Sequence, residues 1–372
     1  MLNILTIIGA RPQFIKSASL SLEFKNHPDI NEVVVHTGQH FDQNMSKIFF
    51  EQMLIPIPKY NLNINSLSHG AMTGRMIEEI EKLLIIENPN FVLVYGDTNS
   101  TLAGAIAAKK LQIKVIHVEA GLRSYNMNMP EEVNRVLTDR ISDVLFCPSA
   151  QSIKNLELEG FNNYDCNIFN SGDVMKDGAI FYEKYADERT SILEGLNIMP
   201  NNYYLCTIHR EENMKNLNKF LEIISGLNNL SEKYKIILPI HPRTNTILKK
   251  FEINDNIKII DPTGYLDMIY LIKNARIVIT DSGGLQKEAY FFGTFCITLR
   301  KETEWVELVE QGYNELVGSN PEKIKKAVKK FENKSFNKDL KLYGDGNACK
   351  KIVKNLREML KKNEGAIFKR FN

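Results

Sequence analysis

Short apolar runs separated by longer stretches of helical period set the rhythm of this chain. The runs Leu2–Ile8, Val33–His36, Phe91–Val94, Val115–Val118 and Val144–Phe146 are nearly continuous in apolar residues, many of them β-branched. Strands that read this way are buried on both faces, as in a parallel sheet whose crossovers are helices. A second series, Tyr203–Ile208, Ile236–Ile240, Ile257–Ile260, Ile277–Thr280 and Phe295–Leu299, begins after Ser171-Gly172-Asp173. The pattern predicts an α/β protein with two Rossmann-like sheets in tandem and a boundary near 170–178. Close to the C-terminus Ile352, Leu356 and Leu360 share one face at i, i+4 spacing, which predicts a helix over about Ala348 to Lys362 that must pack on something. The Lys-rich stretch Lys323–Lys334 reads as the solvated face of another helix.

Composition narrows the partners. The 372 residues fit two domains at roughly 150 residues each. Lys+Arg 47 against Asp+Glu 45 leaves a net charge of +2, without the basic excess of a nucleic-acid or polybasic membrane binder. Any anionic ligand must therefore be small and held locally. The five cysteines are scattered, with no CxxC pair, so neither a disulfide framework nor a structural zinc is expected. No basic leader precedes the first apolar run, and no stretch reaches about 18 consecutive apolar residues. The expectation is a reduced, cytoplasmic protein that makes no membrane contact.

In open parallel sheets ligands gather beyond the carboxyl ends of the strands. Here the first run opens into Gly9–Lys16, with Arg11 and Lys16, and the second into Thr37-Gly38-Gln39-His40. The third opens into Gly96-Asp97-Thr98-Asn99-Ser100 and the fourth into His117–Arg123, with Glu119. One such Asp would be an ordinary helix cap. Four ends presenting Arg, His, Asp and Glu to one crevice predict a functional cluster. Pro130-Glu131-Glu132-Val133-Asn134-Arg135 reads on pattern alone as a helix start, proline first and acids complementing the macrodipole. Its place shortly after the Glu119 loop makes Glu131 a third candidate proton carrier.

In the second half, Thr280–Glu288 turns from a strand through Gly283 and Gly284 into a helix whose first amides suit a phosphate. Thr207–Asn213 and Ile240-His241-Pro242-Arg243 also follow strands. Taken singly, His209 reads equally as a helix cap and His241 as a satisfied core histidine. Beside Ser282-Gly283-Gly284 they point to a nucleoside-diphosphate site. The dinucleotide fingerprint is absent after the first strand and the P-loop is absent throughout, which argues against an oxidoreductase or an ATPase.

At these residues the sequence resembles the non-hydrolysing UDP-N-acetylglucosamine 2-epimerases, along almost the whole chain. The family's G-x-R-P-x-x-I-K stands at Gly9–Lys16, its G-D-T at Gly96–Thr98 and its H-V-E-A-G-L-R at His117–Arg123. Its P-E-E-x-N-R is Pro130–Arg135, its H-R-x-E-N is His209–Asn213 and its D-S-G-G-x-Q-x-E is Asp281–Glu288. The resemblance implies a glycosyltransferase B-type fold, two Rossmann-like domains facing a cleft, usually as a homodimer with neither metal nor cofactor. The expected division is 1–172 for the acid/base domain, 173–350 for the UDP-binding domain, and 351–372 for a C-terminal helix returning to the first domain.

The implied reaction inverts C2 of a UDP-linked N-acetylhexosamine by elimination and re-addition of UDP through a 2-acetamidoglucal. Asp97, Glu119 and Glu131 would carry protons, with their individual roles open, and His209 would assist the departing diphosphate. Arg11, Lys16 and Arg135 would hold the charged intermediate state. Ser282, Gly283 and Gly284 would hold phosphates with His241 nearby, and Glu288 the ribose. In the family the UDP-sugar also acts as an activator, which points to the Gln39-His40 region. Two segments depart from many members: Ala10-Arg11-Pro12-Gln13 replaces Thr-Arg-Pro-Glu, and Thr303-Glu304-Trp305-Val306-Glu307 replaces Thr-Glu-Arg-Pro-Glu. Both resemble the branch acting on UDP-2,3-diacetamido-2,3-dideoxy-glucuronate, the alternative substrate to UDP-N-acetylglucosamine. A hydrolysing epimerase, a retaining glycosyltransferase, which would not need three carboxylates, and a catalytically dead UDP-sugar-binding protein, disfavoured by the intact Asp97, Glu119, Glu131 and His209, are the remaining alternatives.

Overall fold

The computed structural model describes residues 1–39, 57–240, 248 and 251–370, without the side chains of 11, 211 and 362–370. His40 and His241 lie outside the described residues, as does the Arg11 side chain. The chain forms two compact units, one of Met1–Ile180 with Lys341–Asn372, the other of Phe181–Leu340.

The first unit is built on a seven-stranded sheet of order β3-β2-β1-β4-β5-β6-β7, every neighbour parallel. Its strands are β1 (Leu2–Ile8), β2 (Ile30–His36), β3 (Tyr60–Asn61), β4 (Phe91–Tyr95), β5 (Lys114–Val118), β6 (Val144–Cys147) and β7 (Asn167–Asn170). The second unit carries a six-stranded parallel sheet of order β10-β9-β8-β11-β12-β13. These are β8 (Tyr203–Thr207), β9 (Lys235–Pro239), β10 (Ile257–Ile260), β11 (Ile277–Thr280), β12 (Cys296–Thr298) and β13 (Asn314–Leu316). This is the α/β class with two Rossmann-like sheets that the pattern predicts. All ten apolar runs are strands.

β3, β7 and β13 escaped the pattern for a common reason. Each is an edge strand of two to four residues, and asparagine is prominent in all three. An edge strand buries little and needs no apolar run. Central strands such as β4 and β8 are buried at all five positions. A core of Leu5, Ile7, Val92, Val94 and Val115 packs against Met76, Ile80, Leu84 and the alanines of the helix Asn99–Lys110. In each sheet the strand order reverses once, between β1 and β4 and between β8 and β11, where open parallel sheets bind ligands.

The units divide at Ile180/Phe181 and Leu340/Lys341, not at 172/173 and 350/351. Ser171–Asp177 looks like a link in the sequence but is bolted to a distant segment of its own unit. Asp173 N donates to Tyr343 O at 3.1 Å and Lys176 Nζ to Gly344 O at 2.7 Å. The Asp177 carboxylate accepts from the amides of Ala348 and Cys349, at 3.1 and 2.8 Å, where the C-terminal helix Ala348–Arg370 begins. That helix packs on the helix Arg11–Lys25. Ile352, Val353 and Leu356 are buried, and Arg357 Nε reaches Asp29 at 2.9 Å.

Candidate active site

In the first unit the ends of β1, β4 and β5 are tied together by side chains. Gln13, in the first turn of the helix Arg11–Lys25, accepts from the amides of Gly9 and Ala10 at 2.8 and 3.1 Å. Its Nε2 donates to Tyr95 O and Thr101 Oγ1, both at 3.0 Å. The carboxamide is therefore saturated as two acceptors and two donors. An ionised glutamate would turn an oxygen against the Tyr95 carbonyl, which gives the Gln13 departure an architectural reason.

One turn further along, Lys16 forms a buried ion pair with Glu119, across 103 positions of sequence. Glu119 is held at φ +71°, a left-handed conformation costly for a residue with a side chain. Gly96 faces this pair. Its own φ is +62°, and a Cβ there would lie 3.1 Å from both Lys16 Nζ and Glu119 Oε2, so a side chain at this position would be both strained and crowded. The next residue, Asp97, ion-pairs with Arg135. Arg135 also binds Glu132 at 2.6 Å, and Asn134 Nδ2 donates to Asp97 O at 2.9 Å. Glu132 further accepts from the amides of Ser124 and Tyr125, at 3.0 and 2.9 Å.

The structure thus brings Lys16, Glu119, Asp97 and Arg135 together in two adjoining ion pairs, and it adds Glu132, which sequence reasoning passed over. Glu131 stands exposed on the same helix, Pro130–Ile141, about 100° round from Glu132. Gln39 Oε1 accepts from Ser100 N and Oγ, at 3.1 and 2.7 Å, near the start of the helix that follows Asp97.

In the second unit the ends of β8 and β11 meet through the Thr207 and Thr280 hydroxyls, 2.6 Å apart. The next residue on β11's side, Asp281, is buried. It accepts from the amides of His209 and Arg210, each at 3.1 Å, and from Asn213 Nδ2 at 3.0 Å. Its Oδ1 also stands 3.1 Å from His209 Nδ1. Burial alone would raise the Asp281 carboxyl; the His209 ring, the Arg210 amide and Asn213 outweigh it and hold it below the usual aspartate range. The His209 side chain is 59% exposed, so Asp281 fixes the Nδ1 side of an imidazole that otherwise faces solvent.

Ser282 caps the helix Gly283–Phe291, accepting from Leu285 N. A Cβ on Gly283 would collide with the Glu304 carboxylate. Trp305 Nε1 donates to Gly283 O at 2.9 Å, and the Lys287 ammonium lies 4.0 Å from the centre of the Trp305 ring. The departing segment Thr303–Glu307 is therefore packed on the start of this helix. Glu288 is buried on it. The sequence marks Asp281 only as a charged residue immediately after an apolar run.

Among the described residues no group of three or more His, Cys, Asp or Glu is arranged to hold a metal, and no helix is long and apolar enough to cross a membrane. A family model described as UDP-N-acetylglucosamine 2-epimerase matches residues 22–357. Over 96% of this chain, a Pseudomonas aeruginosa UDP-2,3-diacetamido-2,3-dideoxy-D-glucuronate 2-epimerase is 47% identical and is covered in full. A Methanococcus maripaludis UDP-N-acetylglucosamine 2-epimerase homolog is 50% identical, over 96% of this chain and all of its own. The crystal structure of Methanocaldococcus jannaschii UDP-GlcNAc 2-epimerase in complex with UDP-GlcNAc and UDP superimposes with a TM-score of 0.86 at 44% identity. That match covers 96% of this chain and 99% of the other, which identifies the fold as the B-type one expected. With strand-end acids, motifs and fold in agreement along the chain, it belongs to the UDP-N-acetylglucosamine 2-epimerase family.

Proposed function

We propose that this enzyme reversibly inverts C2 of UDP-N-acetylglucosamine, giving UDP-N-acetylmannosamine without hydrolysis. The C2–H and C1–O bonds break to give 2-acetamidoglucal and UDP. UDP then re-adds at C1 while C2 takes a proton on the opposite face. The observation that carries this reading is the pair of carboxylates, Asp97 and Glu119, at adjacent strand ends, each with a cation in contact. Two-faced proton transfer needs more than one carboxyl group, and exposed Glu131 is the third. Lys16 and Arg135, with Arg11, supply fixed positive charge where negative charge develops.

On the second unit, His209, oriented by Asp281, serves the leaving diphosphate. Ser282, Gly283 and Gly284 hold phosphates with His241, and Glu288 the ribose. We place the activator contact at Gln39 and His40, where the Gln39 bond to Ser100 links that region to the helix after Asp97. The resemblance further supports a cytoplasmic homodimer supplying polysaccharide synthesis, with neither metal nor cofactor.

A second substrate, UDP-2,3-diacetamido-2,3-dideoxy-glucuronate, is favoured by the relative of that name at 47% identity and by the Thr303–Glu307 variant. Proton NMR of the enzyme with each UDP-sugar in D2O tests both. The expected result is a C2-inverted UDP-sugar carrying deuterium at C2. Free sugar with no UDP-linked product, or retention of C2 hydrogen with both substrates, overturns the proposal.

A further inference from the structure

The proposed chemistry uses acids carried on three separate segments, and one buried side chain, with its carboxylate partner, links all three. His117, on β5, is 0% exposed. Its Nε2 lies 2.7 Å from the carbonyl oxygen of Gly96, the residue before Asp97. Its Nδ1 lies 2.7 Å from Asp139 Oδ1, on the helix that carries Glu131. The other Asp139 oxygen accepts from Gly121 N at 3.0 Å and from Arg123 at 2.7 Å, both in the loop that follows Glu119. Arg123 is anchored in turn by two bonds to Glu159, at 2.6 and 2.8 Å.

A histidine that merely fills a core needs no such arrangement. A carbonyl and a carboxylate are both acceptors, so the ring makes both bonds only by donating from both nitrogens. A buried charged cluster is also a poor route to stability, since apolar packing of the same volume does as well or better. What the cluster does provide is geometry. Glu119 sits in a left-handed conformation that is costly for a residue with a side chain and persists only when its surroundings over-determine it. The chain on either side of it is pinned: Val118 O accepts from Gly96 N at 3.0 Å, and Gly121 N donates to Asp139.

We propose that His117 and Asp139 are a positioning pair that sets the mutual placement of Asp97, Glu119 and the Glu131 helix. This rests on the epimerase reading above. The test uses Asp139→Asn and His117→Gln in the full chain, with near-UV circular dichroism and cooperative unfolding to count folded protein, and UDP affinity measured by calorimetry. Turnover per folded molecule should fall about 100-fold, the scale of a roughly 1 Å misplacement of catalytic groups. KM and UDP affinity should stay within about 3-fold.

In a Glu119→Gln background, Asp139→Asn should lower the residual C2 exchange by clearly less than the roughly 100-fold it costs the wild type, because part of its effect runs through Glu119. Turnover per folded molecule within about 3-fold of wild type in both variants overturns the proposal. So does a full multiplicative effect in the Glu119→Gln background. Should neither variant fold, Arg123→Lys decides: its shorter, single-headed charge loosens the Asp139 anchor and should cost about 10-fold in turnover, and wild-type turnover overturns the pairing. Wild-type enzyme that fails to exchange C2 hydrogen at all defeats the epimerase reading instead, which separates the two failures.

Discussion

The helices Pro130–Ile141 and Pro321–Glu332 each run for 12 residues from a proline at the first position, with glutamate in the first turn. The same local rules start both. The second then buries Ile324, Ala327, Val328 and Phe331 and holds Lys323, Lys325, Lys326, Lys329 and Lys330 to solvent. The first buries Glu132, Asn134, Arg135, Thr138 and Asp139 and leaves Leu137 exposed. Hydrophobic burial explains the lysine-covered helix completely. The inverted helix is expensive in those terms, so its cost must be set against something other than stability, and each of its buried charges leads to Asp97, Glu119 or their supporting loops. A helix that hides its charges and shows its leucine marks a site more reliably than any single acidic residue.

The largest expected effect that would sharpen this contrast is from Arg135→Met. Removing one partner of a buried ionic network costs about 3–5 kcal/mol, and turnover should drop more than about 100-fold as Asp97 and Glu132 lose their common cation. Urea unfolding and steady-state rates measure both, and a loss under about 1 kcal/mol would mean that the polar face is not a closed network. Phe331→Ala, whose ring stacks on Phe295 with centroids 4.6 Å apart, should cost about 3 kcal/mol or somewhat more. Its turnover per folded molecule should be unchanged, and a tenfold drop would break the comparison.

Next comes Glu131→Gln. An exposed side chain should move stability by less than about 0.5 kcal/mol, while a proton carrier should lose about 100-fold in rate. Full activity here, with Glu132→Gln inactive but folded, would transfer the role to its buried neighbour.

The smallest expected effect is a change of acid slope at Asp139. Burial alone would raise this carboxyl; the His117 ring and the Arg123 guanidinium outweigh burial and hold it below the usual aspartate range. A depressed carboxyl contributes its stability in full above the unfolded value, about 3.9, and the contribution is lost as pH falls through the lower folded value. The urea midpoint of the wild type should therefore keep falling below about pH 4, and less steeply in Asp139→Asn. Val328→Ala on the lysine-covered helix should cost the same at pH 7 and at pH 3.5. Equal acid slopes for wild type and Asp139→Asn would remove Asp139 from the network.

The central strands were legible because strands buried on both faces must be written in apolar residues; β10, at a sheet edge and partly exposed, was legible from its isoleucines alone. β3, β7 and β13 were not, because an edge strand of a few polar residues obeys no such demand. Asp97, Glu119 and His209 were legible as charges just after strands, where a parallel sheet exposes them, and Lys16 as a charge in the helix that follows β1. Their pairing was not: Lys16 and Glu119 are joined by the strand order of the sheet, which no local pattern encodes. Glu132, Arg135 and Asp139 carried a readable signal in their i, i+3, i+7 spacing, a stripe of charge where an apolar stripe belongs. The division at Ile180/Phe181 was displaced from the Ser171-Gly172-Asp173 turn because that turn is fastened to Tyr343 and Gly344, contacts made over some 170 positions of sequence.

Lys341–Asn372 belongs to the first unit although the whole of the second is synthesised in between. While a ribosome makes Phe181–Leu340, on the order of ten to thirty seconds at about 5–20 residues per second, the helix Arg11–Lys25 waits without its cover. The burial of Ile352, Val353 and Leu356 is absent for that interval, each side chain contributing about 1.5–3 kcal/mol once in place. The nascent first unit thus keeps that apolar face open until Leu356 has been made, while the second unit can close as soon as it emerges. A premature stop near residue 348 would be felt at the opposite end of the gene product, in the first sheet and the helix laid over it.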